Sequence, residues 1–178
     1  MIVPVLHQVY VWLAWRGELC FSAVTKILGP GGFRPYAVLF SIFMLLRILI
    51  FLGLAISDRG TVPLPAAATL PLAAAAAALS AYAFYSVARY FTFRRAFGID
   101  HFDPAYRSAP LVREGIFRYT RNGMYTFAFL IFWAITLIFA SRAALVASLF
   151  AHAYVWVHYL CTEKPDMEVI YGGAGSPG

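Results

Sequence analysis

Charged residues are scarce in this chain: 12% of its 178 residues are Asp, Glu, Lys or Arg, about half the roughly 25% usual in soluble domains. Acidic residues are rarer than basic ones, 8 against 14, and the formal net charge is +6. Cysteine is nearly absent. Cys20 and Cys161 stand far apart in no C-x-x-C pattern, which excludes a disulfide framework and a zinc site and leaves two buried apolar thiols as the expectation. No G-x-G-x-x-G follows a strand, and there is no Walker sequence, no H-E-x-x-H and no G-x-S-x-G, so a soluble nucleotide-binding fold is not expected. The N-terminus lacks a basic n-region and an A-x-A-like cleavage site, so no removable signal peptide is expected.

What is present is apolar. Hydrophobic residues make up 62% of the chain, against about 45–50% in soluble domains. The mean hydropathy is +0.74. A globule of 19.7 kDa leaves too much area in water to hide so much apolar surface. An ordinary cytosolic domain, a disordered chain and a nucleic-acid-binding domain are thereby excluded. The basic pI near 9.5 is read as cytoplasmic loops facing anionic headgroups.

Four stretches are apolar over about the 20 residues that cross a bilayer: Pro35–Ile56, broken only by Arg47, then Leu64–Phe93, Met124–Ala140 and Ala143–Cys161. The segment Met1–Leu28 is apolar and aromatic but carries His7, Arg16, Glu18 and Lys26. It is read as an interfacial helix in preference to a fifth span. Gly29–Gly32 is a turn before the first clear span. The expected fold is therefore an all-α membrane protein with about four transmembrane helices, an N-terminal interfacial or fifth helix, and a C-terminal helical hairpin. Residues 1–172 read as one integral-membrane domain, and the Gly/Pro/Ser-rich end of the chain as a flexible tail.

Basic residues set the expected orientation. Arg89, Arg94, Arg95, Arg107, Arg113, Arg118 and Arg121 surround the segment between spans two and three, which places it in the cytoplasm. Both termini then share that side, with Arg16, Lys26, Arg34 and Lys164, while the opposite loops hold only Arg59 and Arg142. Spans three and four are linked by Ser141 and Arg142 alone, which demands an antiparallel hairpin. Pairing positions about that link sets Arg121 level with Thr162–Glu163 and Tyr125 level with His158.

Ionisable residues near membrane depth mark candidate sites. The densest group is Arg118, Tyr119, Arg121, Asn122 and Tyr125 on one arm, with His158, Glu163, Asp166 and Glu168 on the other. A positive-inside anchor, interfacial tyrosines and a solvated acidic tail explain the same residues without any chemistry. Arg47 in mid-span is read as snorkelling or as pairing with the backbone of a neighbouring helix, in preference to holding an acidic headgroup or cofactor. His152 is read as a satisfied packing residue. The alanine run Ala73–Ala78 and Gly53 are expected to let helices approach closely. Tyr10, Trp12, Trp15, Tyr154 and Trp156 are read as interface belts and helix packing.

The stretch Leu111–Tyr125, Leu-Val-Arg-Glu-Gly-Ile-Phe-Arg-Tyr-Thr-Arg-Asn-Gly-Met-Tyr, resembles the signature of the small integral-membrane methyltransferases. That group includes isoprenylcysteine carboxyl methyltransferase and the phospholipid N-methyltransferases. Its pattern is approximately L-V-x-x-G-[PI]-[YF]-R-Y-x-R-H-P-x-Y, and Leu111, Val112, Gly115, Phe117, Arg118, Tyr119, Arg121 and Tyr125 fit in register. After the last span, Glu163 through Tyr171-Gly172 resembles the family segment E-E-x-x-L-x-x-x-[FY]-G. Two departures stand out: the family's His-Pro is Asn122-Gly123 here, and its second Glu is Lys164. Asn hydrogen-bonds but does not titrate near neutral pH.

The resemblance implies a methyltransferase that uses S-adenosylmethionine and a nucleophile borne on a lipid. On that reading Glu163 faces the donor's positive sulfonium and amino groups, with Tyr125 and Tyr171 as aromatic walls. Arg121, then Arg118, takes the donor's carboxylate in two-pronged fashion. Gly115 and Tyr119 complete the cofactor-binding set, and Arg121, His158 and Glu163 the catalytic one. His158 lines the pocket or accepts a proton; a hydrogen-bonded interfacial histidine is the equal alternative. The arginines lean the acceptor towards a phospholipid amine. A carboxylate or thiol of the isoprenylcysteine type, a membrane reductase using reduced nicotinamide dinucleotide, and a non-catalytic membrane subunit remain the alternatives. His101 and Asp103, in Asp100–Pro104, help cap the site or form a solvated turn, the turn being preferred. The expected partners are a lipid-like substrate and the membrane, without nucleic acid or metal; the sequence does not fix an oligomeric state.

Overall fold

The helices follow from long apolar runs punctuated by Gly, Pro and polar turns. A computed structural model describes residues 2–107, 110 and 112–172. In chain order the helices are α1 (Ile2–Phe21), α2 (Ala23–Leu28), α3 (Phe33–Ser57), α4 (Ala66–Ser86), α5 (Phe93–Ala96), α6 (Ile99–Phe102), α7 (Leu130–Phe139), α8 (Arg142–His158) and α9 (Lys164–Tyr171). No strand occurs among the described residues. Phe33–Ser57, Ala66–Phe91 and Arg142–Tyr171 are long and apolar enough to cross a membrane, and Met124–Phe139 is a shorter apolar helix. Three of the four expected spans thus have spanning length; the third expected span, Met124–Ala140, forms an apolar helix shorter than that. The chain is an all-α membrane protein.

The last span runs on beyond its expected end at Cys161. A π-helical turn at Tyr159–Glu163 carries α8 directly into α9, and the helix stops only at Tyr171, ahead of Gly172. Similar π turns extend α4 over Val87–Phe91 and precede α7 over Met124–Ala128. Leu111 and residues 173–178, including most of the expected tail, lie outside the described residues.

Two compact units make up the chain: one from Met1–Leu45, Thr92–Leu111 and Trp156–Gly178, the other from Leu46–Phe91 and Val112–Val155. In the first, Val11, Ala14, Trp15, Tyr36 and Phe40 form the core, with Phe97 and Phe102 packed on it. Trp15 Nε1 donates to Tyr36 Oη at 2.8 Å and to the Phe97 carbonyl at 3.3 Å, so the indole is satisfied while buried. Ser22, at φ 52°, breaks α1 from α2, and the buried Glu18 carboxylate accepts from Thr25 N at 2.9 Å across that break.

In the second unit α4 lies against α7; of the alanine run only Ala73 is buried, while Ala74, Ala75 and Ala78 are exposed, so most of the run makes no close helix approach. Gly53 faces open space, so α3 makes no close approach there. The hairpin of α7 and α8 is present. Thr136 Oγ1 meets Ser148 Oγ at 2.8 Å and Trp133 Nε1 donates to His152 Nδ1 at 3.0 Å, the register counted from the two-residue link. His152 is thus a satisfied packing residue. Ser141 Oγ accepts from Ala144 N at 3.0 Å and caps α8. Phe51, Ala55, Phe132, Ala144 and Ala147 fill the core.

Large apolar side chains of α3, among them Val38, Ile42, Leu45 and Leu49, are exposed, as expected of a face meant for hydrocarbon. Cys20 and Cys161 are free and also exposed. The expectation of buried thiols fails because both sit on outward helix faces.

Candidate functional site

The motif arm belongs to the second unit and is built by alternate burial. Gly115 opens a single 3-10 turn at φ +60°, where a Cβ would come within 2.5 Å of Ser86 Oγ. Ser86 is fully buried; its hydroxyl accepts from Ile116 N at 3.0 Å and donates to the Tyr82 carbonyl at 2.8 Å. Ile116 and Phe117 are buried, Phe117 against the Phe91 ring at 5.2 Å. With those two as anchors, Arg118, Tyr119 and Arg121 project outward and are exposed. Among the described residues neither arginine makes an ion pair. Thr120 Oγ1 accepts from Asn122 N at 3.2 Å and turns the chain into the helix, whose first turn buries Tyr125. A Cβ at Gly123 would lie 2.8 Å from Ile116 Cγ2. A glycine in place of the family's proline therefore leaves room for the Ile116 anchor.

The other candidates, His158, Glu163 and Tyr171, belong to the first unit. They surround a buried charged cluster that the sequence did not reveal. Asp166 has no exposed surface. Its Oδ1 lies 2.7 Å from Arg16 Nε, and its Oδ2 lies 3.2 Å from His101 Nε2. His101 Nδ1 faces the Gly98 carbonyl at 3.2 Å. The Trp15 ring stacks on His101 at 4.3 Å and tilts against the buried His158 at 5.4 Å. Gly98, at φ +81°, is held by the same indole: a Cβ there would fall 2.3 Å from Trp15.

Tyr171 donates its hydroxyl to Asp100 Oδ2 and receives Arg95 Nη2 at 3.4 Å. Asp100 is buried, and its Oδ1 has no hydrogen-bond partner. Arg107 ties down the short helix α6 by donating to the carbonyls of Asp100 at 3.0 Å and His101 at 3.1 Å. Glu163 is half-buried, near enough to Asp100 and Asp166 to feel their charge. No hydrogen bond or ion pair joins it to another described residue.

Two expectations are corrected here. Asp100 and His101 are not a solvated turn; they are buried because Trp15 and Asp166 close over them. The turn reading holds for Asp103 alone, which accepts from Ala105 N at 3.0 Å. Nor is Asp166 part of a solvated tail, although the exposed Glu168 is. One signal was available. Asp166 follows the buried Thr162 by four residues, so it occupies the inward stripe of α9. Its partners Arg16 and His101 lie far away in sequence and left no pattern. Among the described residues no three His, Cys, Asp or Glu side chains form a group suited to a metal ion.

Arg47 departs from both expectations made for it. It is 5% exposed, so it does not snorkel, and no backbone carbonyl of the described residues accepts from it. Its guanidinium rests on Phe129 and Phe132, at 4.9 and 5.1 Å from the ring centroids.

No curated protein and no solved structure matches the chain. The family model described as phospholipid methyltransferase matches residues 65–174, which takes in α4, the motif arm, the hairpin and α9. With more than half of its length matched, on an all-helical membrane fold, the chain belongs to the phospholipid methyltransferase family and is a membrane methyltransferase.

Proposed function

We propose that the chain moves a methyl group from S-adenosylmethionine to the amine of a phospholipid. The family match over residues 65–174 carries this reading, because the matched stretch includes both charged segments singled out in the sequence. When bound, the donor supplies an electrophilic methyl carbon on a sulfonium sulfur. The rest falls to the residues of this chain.

Each unit offers groups of the kinds such a donor would need. Arg118 and Arg121 are exposed cations without ion-pair partners among the described residues, available to a carboxylate in two-pronged fashion. Glu163 is a half-buried carboxylate without a partner there, and the neighbouring Asp100 keeps one buried oxygen unsatisfied. A positive group would relieve Glu163, whereas Asp100 already has Arg95 Nε 3.9 Å from its Oδ2. Tyr125 and Tyr171 are the aromatic walls of this reading; Tyr125 is buried, and the Tyr171 ring is fixed through Asp100 and Arg95. Gly115 and Tyr119 shape the arm that offers the arginines. In-line displacement needs the nucleophile held against the methyl carbon, so orientation supplies much of the rate. An amine must also lose a proton before it attacks, and His158, or Glu163, is the base.

The orientation proposed has the charged segments and both termini in the cytoplasm, where a water-soluble donor enters while the lipid arrives from the bilayer. Incubating the purified protein with labelled S-adenosylmethionine and a total lipid extract tests this reading. A labelled aminophospholipid is expected. A label on a prenylated carboxylate or thiol instead would move the assignment to the isoprenylcysteine type. S-adenosylhomocysteine should stabilise the protein against heat and NADPH should not.

A further inference from the structure

Arg47 lies near the middle of α3, a helix of 25 residues and so about 37 Å long at 1.5 Å per residue. That exceeds the roughly 30 Å of bilayer hydrocarbon, so Arg47 sits deep between the headgroup layers. Its side chain is turned into the protein and is 5% exposed. Nε is enclosed and has no hydrogen-bond partner. No carboxylate among the described residues pairs with it. The neighbouring core consists of Phe51, Phe132, Ile48 and Phe129, with no counter-charge among them.

Ring faces attract a guanidinium, but they neutralise no charge and accept none of its five N–H donors in the way an oxygen does. A cation without an anion at this depth is costly and is found where it serves a pathway or a ligand. Arginine's planar fork is suited to the paired oxygens of phosphate or carboxylate. The surrounding aromatic and aliphatic side chains suit hydrocarbon. We infer that Arg47 anchors an oxyanion-binding site inside the membrane, which takes the phosphate or carboxylate of a lipid-like amphiphile. The inference stands apart from the methyl-transfer reading and needs only the membrane-spanning helix.

The test uses the full chain, delipidated in an uncharged detergent, and follows its thermal melting with four probes. Dioleoylphosphatidic acid and oleate carry the oxyanion on a lipid. Dioleoylglycerol carries the chains without the charge, and inorganic phosphate the charge without the chains. The first two should raise the melting temperature of the wild type and the last two should not. In Arg47→Met the concentration needed for half the shift should rise about tenfold or more, and Arg47→Lys should retain part of the response. Without added lipid, Arg47→Met should melt at or above the wild-type temperature, because it removes an unpaired buried charge. The same lipid response in Arg47→Met would overturn the site. So would an equal shift with dioleoylglycerol. A shift with inorganic phosphate alone would reassign the site to a soluble anion and overturn the lipid. Should Arg47→Met melt lower without lipid and still respond normally to it, Arg47 would be structural only.

Discussion

His101 Nε2 lies 3.2 Å from Asp166 Oδ2, and neither side chain has exposed surface. Arg16 Nε closes on the other oxygen at 2.7 Å. One carboxylate on α9 is thus held by residues from α1 and α6, and Glu163, three positions earlier on the same continuous helix, is placed by that grip. Removing one partner of a buried charged pair strands the others. Asp166→Ala should lower stability by about 3 kcal/mol or more, seen as a lower melting temperature, while Glu168→Ala on the exposed side of α9 should change it little. Equal effects from the two substitutions would contradict the grip.

The Gly115 turn should tolerate no side chain. At φ +60°, with Ser86 Oγ where a Cβ would fall, Gly115→Ala should cost at least about 1 kcal/mol. Ser86→Ala should cost about 1–3 kcal/mol, because the Ile116 amide loses its buried acceptor. Both are checked by thermal melting, and the two effects should not add, since they act on one turn.

Asp58 makes the hairpin link sensitive to acid. Its carboxylate accepts from Ala143 N at 2.7 Å, Ser141 Oγ at 2.8 Å and Thr61 Oγ1 at 3.0 Å. The Ala143 amide first, then the Ser141 hydroxyl, hold it below the ordinary carboxylate range. A lowered folded value means that the contribution is complete above the unfolded value near 4 and is lost as pH falls through the folded one. The melting temperature of the wild type should therefore fall towards that of Asp58→Asn on acidification and exceed it at neutral pH. A constant gap between the two at every pH would contradict this.

The charged residues of the two motif segments should separate activity from stability. Arg121→Ala and Glu163→Ala should each abolish methyl transfer and leave membrane insertion and expression near the wild-type level. Neither side chain is committed to an ion pair among the described residues, so the fold does not depend on it. Retained turnover in both variants would count against the roles proposed for them.

The spans were legible because bilayer thickness sets a minimum apolar length, and Pro35–Ile56 or Ala143–Cys161 meet it in any window. The hairpin register was legible because Ser141 and Arg142 leave only one way to turn. The course of the chain past Cys161 was not, since a π turn keeps a helix going without a compositional mark. The Arg16–Asp166–His101 cluster was hidden for a different reason. Three polar residues on separate helices show no periodicity, and each alone reads as surface. Arg47 was misread because hydropathy reports depth and says nothing about whether a side chain faces lipid or protein. Of the candidate site, the motif spacing placed Arg118, Tyr119 and Arg121 on one arm, but the anchoring of that arm by Ser86 needed the fold.

The central claim is methyl transfer to a membrane lipid, and product identification tests it most directly. Purified protein, labelled S-adenosylmethionine and vesicles containing phosphatidylethanolamine should yield a labelled N-methylated phospholipid, and the Glu163→Ala variant should yield none. Absence of label from every lipid with wild-type protein that is folded and bound to S-adenosylhomocysteine would contradict the account.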